Sequence, residues 1–484
     1  QGMNLFPTGV LPNDTFPLLL VAHEMAHSWW GNLIAPGDGA VTDEGLAQIT
    51  AAMCLRQFEG ERAARRFMKS GVPGYSQSAG QYFVRFATPP GKDYPLGVAN
   101  AGSDASAALH DLADTKGMFV YDMLREKIGH DAFVRGLRAI IESSAGKEVT
   151  LTALRAAWEK ASGKDLNPFF QQWFYRTGAP ELILNATTEA TDRGLVSSGT
   201  ITQAGEPYQV EVEIALAFPG RREIKSIAVS GASTSFSFRT ELKPLWVVLD
   251  PDYKILRWTP AYRDYPLLAD GLGLWSTGRK DEAIQKIEEY VVKVPETLEG
   301  RFRLGVCYEE TGKLDQAERS FRFVLDRYGS LQVYEPAVAL SQLHLGHVFD
   351  LEGHRDEAMV AYRQALALPN EANSHKDAEA GLSSPYQLKS RVAGPGPDVL
   401  AGFVGTYDNG KGISVIVALN PQGILMVSQP GKPEGALEWI EGARFRVPGG
   451  SDIVIEFLEA PKVTAMDLKV SGLVIHLPRV KPSS

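Results

Sequence analysis

Cysteine is scarce in this sequence. Only Cys54 and Cys307 occur among 484 residues. Both stand in apolar, helix-like surroundings and far apart along the chain, so we expect two free thiols rather than a disulfide. This scarcity excludes a disulfide-rich scaffold, and it excludes a metal site built from a cysteine cluster.

Long apolar runs and dense basic stretches are also missing. The longest apolar run, FPLLLVA at 16–22, falls well short of the roughly 18 residues that a membrane-spanning helix needs. The formal net charge is −9, and no basic stretch is dense enough to follow a phosphate backbone. We therefore expect no membrane span and no nucleic-acid partner. No signal peptide is recognisable, and because the chain starts at Gln1 its start does not indicate a compartment.

Hydrophobic periodicity predicts a multidomain α+β protein. Residues 1–178 carry the 3.6-residue period of helices, whereas 179–262 change to a period of two, as in YQVEVEIALAF at 208–218. The second pattern predicts antiparallel strands in a small β-sandwich. The helices predicted in the first segment are 16–33, 43–57, 61–70, 106–128, 130–144 and 150–174, the last with Thr150 as its N-cap.

An internal repeat follows at 263–370. TGRKDEAIQKIEEYV, TGKLDQAERSFRFVL and EGHRDEAMVAYRQAL align, with Gly278 and Gly312 separated by 34 residues and Gly353 following 41 later. Three copies of this kind resemble tetratricopeptide repeats and imply an α-solenoid able to hold a protein partner. A polar linker is predicted at 371–398. Alternating short strands predict an all-β module at 399–484, a small barrel or sandwich that resembles the lipocalin-like modules appended to some bacterial hydrolases.

The stretch VAHEMAHSWWGN at 21–32 predicts a metal site. His23 and His27 stand at i and i+4 and share one helix face, so both imidazoles can reach a single ion. Glu24 is rotated by about 100° from His23, so it can reach a water on the ion without being a ligand itself. Only nine histidines occur in the chain, which makes this pair with its glutamate a specific signal.

A catalytic zinc ion needs a third protein ligand and one open position. No cysteine is close, so the third ligand must be an acid or another histidine. Glu44 lies in the first turn of the next predicted helix, TDEGLAQITAAM. Asp38 and Asp43 are alternatives, although Asp38 falls in a Gly/Pro loop and Asp43, like Thr42, suits the N-cap of that helix.

HEMAHSWWGN followed by DEGLA resembles the gluzincin aminopeptidases of the alanyl aminopeptidase (aminopeptidase N) family, which includes leukotriene hydrolase. The resemblance implies a thermolysin-like, mostly helical catalytic domain at 1–178, with His23, His27 and Glu44 binding one Zn²⁺ and Glu24 acting as the general base on a metal-activated water. The loop IAPGDGA shortens the spacing to Glu44 by two residues relative to the family. The motifs DTKGMFVYDML and FFQQWFYRTGAPELIL extend the resemblance to about residue 260.

The sequence departs from this family where an oxyanion is stabilised. The family carries a tyrosine two residues before the lysine of its lysine-glycine helix, and this chain has Asp114 there. An ionised carboxylate would repel a developing oxyanion. His110, one turn earlier, is the candidate replacement, with a surface or capping histidine as the alternative. Tyr82 and Tyr94 are further candidates.

Two other positions bear on specificity. The family anchors the substrate amine through the glutamate of a G-x-M-E-N motif, whereas QGMNL offers only the neutral Asn4, which binds an ammonium group poorly. Lys116 is predicted to have a structural role, paired with an acid such as Asp111.

These observations predict a zinc metallopeptidase, aminopeptidase-like, that acts on a peptide or protein substrate. One alternative is a catalytically weakened peptidase fold that binds partners through its repeats, which Asp114 and Asn4 favour. A second alternative is a zinc esterase or amidase acting on non-peptide substrates. We expect an extracytoplasmic bacterial protein, because such domain combinations resemble exported hydrolases.

Overall fold

The computed structural model describes most of the chain, in twelve stretches that form two compact units. One unit contains the described residues up to Arg263 together with Arg327–Tyr334, and the other contains Asp264–Asp326 and the residues from Glu335 onward. The described stretches are 15–72, 77–87, 91–98, 103–192, 194–388, 395–410, 412–421, 423–429, 435–447, 453–460, 462–470 and 473–480.

The first unit begins with a helical domain built around buried aromatic rings. Phe133 and Trp158 stack with centroids 5.1 Å apart, and the Trp158 indole donates to the carbonyl of Phe133. Thr150 caps α8 by accepting from the amide of Ala153, as predicted. The helices are α1 (Thr15–Ala26), α2 (Glu44–Glu59), α3 (Glu61–Ser70), α4 (Ala79–Arg85), α5 (Ser103–Leu112), α6 (Met118–Ile128), α7 (His130–Ser144), α8 (Leu151–Ser162) and α9 (Asn167–Trp173).

The helix that carries the histidines is shorter than predicted. It ends at Ala26 instead of running to residue 33, because a tight turn follows in which Gly31 adopts a φ of 95° and donates to the carbonyl of Ile34. A side chain at Gly31 would also collide with the Asp43 carboxylate, 2.6 Å away. His27 therefore lies just beyond the helix end, although its amide still bonds to the carbonyl of His23.

One long helix is interrupted by a π-helical turn. Helices α5 and α6 join through Ala113–Gly117, whose bonding pattern accommodates one extra residue. The hydroxyl of Thr115 bonds to the carbonyl of Asp111 inside this turn. This interruption occurs at the predicted helix 106–128 and carries Asp114 and Lys116.

A two-layer β-structure follows in the same unit. Two three-stranded antiparallel sheets, in the orders β3-β4-β7 and β6-β5-β8, enclose a core that includes Ile201, Ile214 and Phe236. A short parallel pair, β1 (Ala35–Pro36) with β2 (Glu148–Val149), belongs to the helical part. The strands are β3 (Leu182–Thr191), β4 (Gly194–Gln203), β5 (Val210–Phe218), β6 (Arg221–Val229), β7 (Ser233–Thr240) and β8 (Trp246–Leu249), followed by the short helix α10 (Pro260–Arg263).

The second unit opens with three pairs of helices formed by the internal repeat. In each pair a glycine of the first helix faces a large side chain sixteen residues later: Gly271 faces Ile287, Gly305 faces Phe321 and Gly346 faces Tyr362. A Cβ at any of these glycines would lie within 2.6 Å of that side chain, so the close packing requires glycine. The pairs are α11 (Tyr265–Ser276) with α12 (Lys280–Lys293), α13 (Leu298–Glu310) with α14 (Leu314–Leu331), and α15 (Pro336–Leu351) with α16 (Arg355–Leu366). The last residues of α14, from Arg327 on, belong to the first unit.

The remainder of the second unit contains two further helices and an antiparallel β-module. Helix α17 (Ser374–Ser383) lies within the stretch predicted as a polar linker, and α18 (Pro397–Ala401) precedes the strands. Sequential strands are neighbours in two sheets, and a bridge joins Tyr407 to Arg479. The strands are β9 (Gly405–Asp408), β10 (Ser414–Leu419), β11 (Leu425–Ser428), β12 (Gly435–Ala436), β13 (Glu438–Glu441), β14 (Arg444–Arg446), β15 (Val454–Leu458), β16 (Ala465–Val470) and β17 (Leu473–Pro478).

The expectation of two free thiols is confirmed. Both cysteines are free, with Cys307 buried and Cys54 half-buried. Among the described residues, no helix is long and apolar enough to cross a bilayer.

Candidate metal centre

Three side chains predicted from the sequence converge on one point. The Nε2 atoms of His23 and His27 lie 3.1 Å apart. The Oε2 atom of Glu44 lies 3.2 Å from Nε2 of His23 and 3.3 Å from Nε2 of His27. These three potential ligand atoms, from the end of α1 and the start of α2, therefore form a nearly equilateral triangle.

The triangle fits a tetrahedrally coordinated ion such as zinc. Ligand atoms about 2.0–2.1 Å from zinc at a tetrahedral angle lie about 3.3 Å from one another. Within the described residues, Glu44 Oε2 is buried without a hydrogen-bond partner, as is His23 Nδ1. A buried carboxylate oxygen left in this way is costly, and a cation at the centre of the triangle would satisfy it. The donor set, two imidazoles and one carboxylate, is one that catalytic zinc sites use.

His27 is oriented by the residue that the sequence suggested as a helix cap. Asp43 stands at the N-cap position of α2, but its side chain makes no capping bond. Its Oδ1 instead accepts from Nδ1 of His27 at 2.9 Å, and the carbonyl of Trp30 lies 3.0 Å from the same nitrogen. Because both partners are oxygens, Nδ1 carries the hydrogen and the Nε2 lone pair points towards Glu44. Asp43 therefore occupies the predicted N-cap position, but its side chain orients His27 and does not cap the helix.

Asp38, the other alternative ligand, is used elsewhere. Its Oδ2 accepts from the amide of Leu151 at 2.5 Å, at the beginning of α8. The short Gly/Pro loop thus ties the start of α2 to a different helix, and Glu44 is the acid that reaches the histidines.

The electrostatics of the centre favour positive charge. The Asp43 carboxylate, which accepts from Nδ1, and the nearby Glu44 carboxylate raise the pKa of His27 to about 11. Burial alone would raise the pKa of Glu44, but the two imidazoles beside its carboxylate bring that pKa well below its usual value. A proton or a metal cation is therefore stabilised where the three ligand atoms meet.

A close approach of two backbones brings the π-helical turn beside Glu44. Gly45 packs on this turn, and a Cβ there would lie 3.1 Å from the Tyr121 ring and 3.4 Å from the carbonyl of Ala113. Asp114 is consequently buried near the metal centre, with a pKa that burial raises to about 7. The glycine of the DEGLA motif thus has a packing reason: it lets Glu44 approach this turn.

His110, in helix α5 just before the π-helical turn, lies beside the metal centre. Its Nδ1 lies 3.3 Å from Oε1 of Glu44, the carboxylate oxygen that does not face the histidine pair. Its Nε2 lies 3.7 Å from Oδ2 of Asp114, and the side chain is 51% exposed. His110 is thus next to the predicted ligands and open to solvent on one side.

Glu24, the predicted base, and the alternative donors Tyr82 and Tyr94 differ in the partners that hold their side chains in place. The side chain of Glu24, directly after His23 and half-buried, makes no hydrogen bond or ion pair with any other described residue. The Tyr82 hydroxyl, in contrast, donates to Asp93 at 2.8 Å and its ring is fully buried. The ring of Tyr94 is half-buried, with the Lys92 ammonium group 5.0 Å from its centre.

Lys116 has a different partner from the one predicted. Its ammonium group lies 3.5 Å from Oδ2 of Asp93 and 3.4 Å from the carbonyl of Arg176, and burial lowers its pKa. Asp111 pairs instead with Arg85 at 2.5 Å. The π-helical turn points Lys116 into the core, so the predicted pair with Asp111 is wrong. Asn4, the other residue singled out for specificity, lies outside the described residues.

A second group of two histidines and a glutamate was not predicted. Glu309 of α13 is 1% exposed, and its Oε2 lies 2.7 Å from Nδ1 of His344 while its Oε1 lies 3.3 Å from Nδ1 of His347. Both histidines belong to α15, three residues apart. The glutamate stands 35 residues earlier in the chain, so only the packing of successive repeats brings the three together. Glu309 aligns with Asp350 of the third repeat, 41 residues later, and this pair of acids near the ends of the repeats' first helices was the one available signal.

Comparison with known proteins bears on the helical domain. Residues 16–173 match the family described as the Peptidase family M1 domain. Aminopeptidase N of Lactococcus lactis subsp. lactis is 28% identical over 184 residues, 37% of this chain and 20% of that protein. Aminopeptidase N of Haemophilus influenzae is 25% identical over 203 residues, 41% of this chain and 22% of that protein.

The chain spans about a fifth of the length of these curated relatives. Among solved structures, the crystal structure of Legionella pneumophila aminopeptidase A in complex with aspartic acid is similar, with a TM-score of 0.45 and 16% identity over 78% of this chain and 50% of that one. The sequence matches thus show that residues 16–173, about a third of this chain, are similar to the peptidase family M1 domain and to part of these aminopeptidases.

Proposed function

We propose that this protein is a zinc-dependent metallopeptidase that hydrolyses peptide bonds in an aminopeptidase-like manner. The observation that carries the proposal is the convergence of His23, His27 and Glu44 on one point, next to a glutamate with no other described partner. The similarity of residues 16–173 to the peptidase family supports it.

In this proposal the ion and the protein side chains have separate roles. His23, His27 and Glu44 would hold a zinc ion, which would supply Lewis-acid chemistry for a substrate carbonyl and for a water. Glu24 then accepts a proton from the attacking water and delivers it to the leaving amine, since its carboxylate has no other described partner that would hold it. Asp43 keeps the His27 ring in the orientation that this arrangement needs.

His110 takes the part of the oxyanion donor in this proposal. It borders the ligands and is half exposed, so its ring can meet a substrate oxygen. Nε2 of His110 lies 3.7 Å from the carboxylate of Asp114. The buried Asp114 stands in the place of the tyrosine, so His110 is the residue that presents an N–H group instead.

The decisive experiment measures bound zinc together with turnover of two reporters, an aminoacyl substrate and an N-terminally blocked peptide. We expect one zinc per chain. Glu24→Gln should retain the zinc and lose about 10²–10⁴-fold of the turnover, because it removes the base but none of the ligands. Glu142→Gln, at an exposed glutamate of α7, is the matched control.

The other outcomes separate the alternatives. Stoichiometric zinc without Glu24-dependent turnover of either reporter would leave a metal-binding peptidase fold that acts only by binding partners. Cleavage of the blocked peptide alone excludes aminopeptidase specificity, and turnover confined to ester or non-peptide amide reporters points to an esterase or amidase.

His110 is tested by a separate pair of variants. His110→Ala should lower kcat by about 10–10³-fold with little change in KM and with zinc retained, because the lost donor acts mainly in the transition state. His130→Ala, at an exposed histidine of α7, should leave both constants unchanged. An unaltered kcat for His110→Ala would exclude the donor role, and loss of zinc would show that His110 supports Glu44 instead.

A further inference from the structure

The stretch 384–388 crosses the helix pairs of the second unit as an extended segment with a single anchored side chain. It follows the end of α17 at Ser383, and Ser384 already has extended backbone angles. Tyr386 is half-buried, whereas Ser384, Pro385, Gln387 and Leu388 are exposed. We refer to residues 384–388 as the strap. Its attachment depends on one residue.

Tyr386 is held by contacts to its ring, its backbone and its hydroxyl. The ring stacks on the His347 imidazole with centroids 3.7 Å apart and planes at 8°. The backbone N–H donates to Oδ2 of Asp350 at 2.7 Å. Burial raises the pKa of the phenol to about 12, and the negative charge of the neighbouring Glu309 carboxylate contributes to that rise.

The site that binds Tyr386, which we call the receiving site, consists of Glu309, His347 and Asp350. Other residues of the helices hold these side chains in place. Glu309 is fixed by His344 and His347, and the Asp350 carboxylate is fully buried. Arg355 binds both oxygens of Asp350, at 2.8 and 3.0 Å, and the Tyr362 hydroxyl donates to Oδ2 at 2.8 Å. The strap adds only Tyr386 to this network, so the site is preorganised by α13, α15 and α16.

The receiving site is selective in its chemistry. It offers one flat ring face and two carboxylates, which accept hydrogen bonds from a hydroxyl and from a backbone N–H but offer nothing to a carboxylate or a phosphate. A residue that satisfies all three at once is a tyrosine in an extended segment. Pro385 restricts both its own φ and the backbone of Ser384, which keeps the segment extended at little further loss of entropy.

We propose that Glu309, His347 and Asp350 form a binding site for an extended, tyrosine-containing peptide segment of a protein partner, and that the strap occupies this site in cis. None of the contacts requires that the tyrosine belong to this chain, because the strap's other side chains are exposed. A partner segment of the same chemistry therefore competes with the strap. The inference concerns the second unit and does not depend on hydrolysis at the metal centre.

The test uses the full chain and a fluorescein-labelled peptide, Ser-Ser-Pro-Tyr-Gln-Leu, which copies residues 383–388. In a titration followed by fluorescence anisotropy, Tyr386→Ala should bind this peptide at least about tenfold more tightly than the unmodified chain, where the tethered strap competes at an effective concentration of order millimolar. Leu388→Ala, which changes an exposed residue of the strap, is the matched control and should bind like the unmodified chain.

Two further comparisons locate the binding. The double variant Tyr386→Ala with His347→Ala should lose the gain in affinity, because the ring face is removed. The same peptide phosphorylated on tyrosine should not bind, since the added charge of about −1.5 to −2 would face Glu309 and Asp350. A peptide with alanine in place of its tyrosine should not bind either.

The proposal is overturned if Tyr386→Ala does not bind the peptide, or if it binds no more tightly than the unmodified chain. Binding that survives His347→Ala, or that tolerates phosphotyrosine, overturns the assignment of the site. If Tyr386→Ala is unfolded at the assay temperature, Tyr386→Leu retains the side-chain bulk and the N–H bond to Asp350. It should still bind the peptide more tightly than the unmodified chain, with a smaller gain, and equal binding would again overturn the proposal.

Discussion

The two groups of two histidines and one glutamate contain the same residue types but differ in where their lone pairs point. At His23, His27 and Glu44, three ligand atoms face one point, and a buried carboxylate oxygen has no hydrogen-bond partner among the described residues. At Glu309, each carboxylate oxygen already meets an imidazole Nδ1. The first group is arranged for a cation, whereas the second is a completed hydrogen-bond network. Residue composition does not distinguish them, and the direction of each lone pair does.

The largest expected difference between the two groups is in zinc binding. Glu44→Ala should weaken zinc affinity by at least about 100-fold, because removal of a ligand exceeds the 10–100-fold loss typical of an outer-shell change. Glu309→Ala should leave one zinc per chain. Metal content after dialysis against buffered zinc measures both. Equal loss in the two variants would mean that the second group also binds the ion.

Acid should destabilise the second group through a defined pH window. Burial lowers the pKa of His347, so the stability it contributes is complete above pH 6.5 and declines as the pH falls below that value. Interactions with His344 and His347 lower the pKa of Glu309 to about 2 despite burial, so its contribution is present above about pH 4.5 and lost as the pH falls towards 2. The Glu309 contribution is on the order of 3 kcal/mol.

Hydrogen exchange of the α15 amides between pH 7 and pH 2 measures this effect. Glu309→Gln should remove the part of the decline that lies between pH 4.5 and pH 2, and Glu310→Gln, at the neighbouring residue, is the matched control. A decline of the same size in Glu309→Gln would show that Glu309 does not titrate in the predicted manner.

The smallest expected effect concerns the residue that orients His27. Asp43→Asn keeps the size of the side chain but removes the charge that fixes the ring hydrogen, so zinc affinity should fall about 10–100-fold. Asp38→Asn is the matched control, because its oxygen can still accept from the amide of Leu151. Unchanged affinity in Asp43→Asn would mean that the carbonyl of Trp30 alone orients His27.

Local spacing accounts for the part of the site that the sequence predicted. Histidines at i and i+4 share a face when the backbone between them is helical. The amide of His27 keeps its helical bond to His23 although α1 ends at Ala26, so the two side chains still face the same way. Glu44 could be placed because only a short loop separates it from the histidines. Strands β5 to β8 likewise follow the alternation of apolar and polar residues in the sequence.

The side-chain predictions that were wrong concern residues that can bond either to a local partner or to one that is distant in the sequence. Asp43 occupies a cap position, yet its carboxylate bonds to the half-buried imidazole of His27 and not to an amide of α2. Lys116 turns away from Asp111 because the extra residue of the π-helical turn changes its direction. Glu309 and Tyr386 could not be assigned, since their partners come from other repeats and are defined only by packing.

The π-helical turn at Ala113–Gly117 also has an evolutionary consequence. Such a turn is an α-helix with one added residue, so deleting one residue there would restore regular bonding and rotate α5 by about 100° relative to α6. His110 would swing away from Glu44 in that single mutational step, while the three ligands, carried on α1 and α2, would keep their places. The histidine beside the metal centre can thus be gained or lost independently of the centre itself.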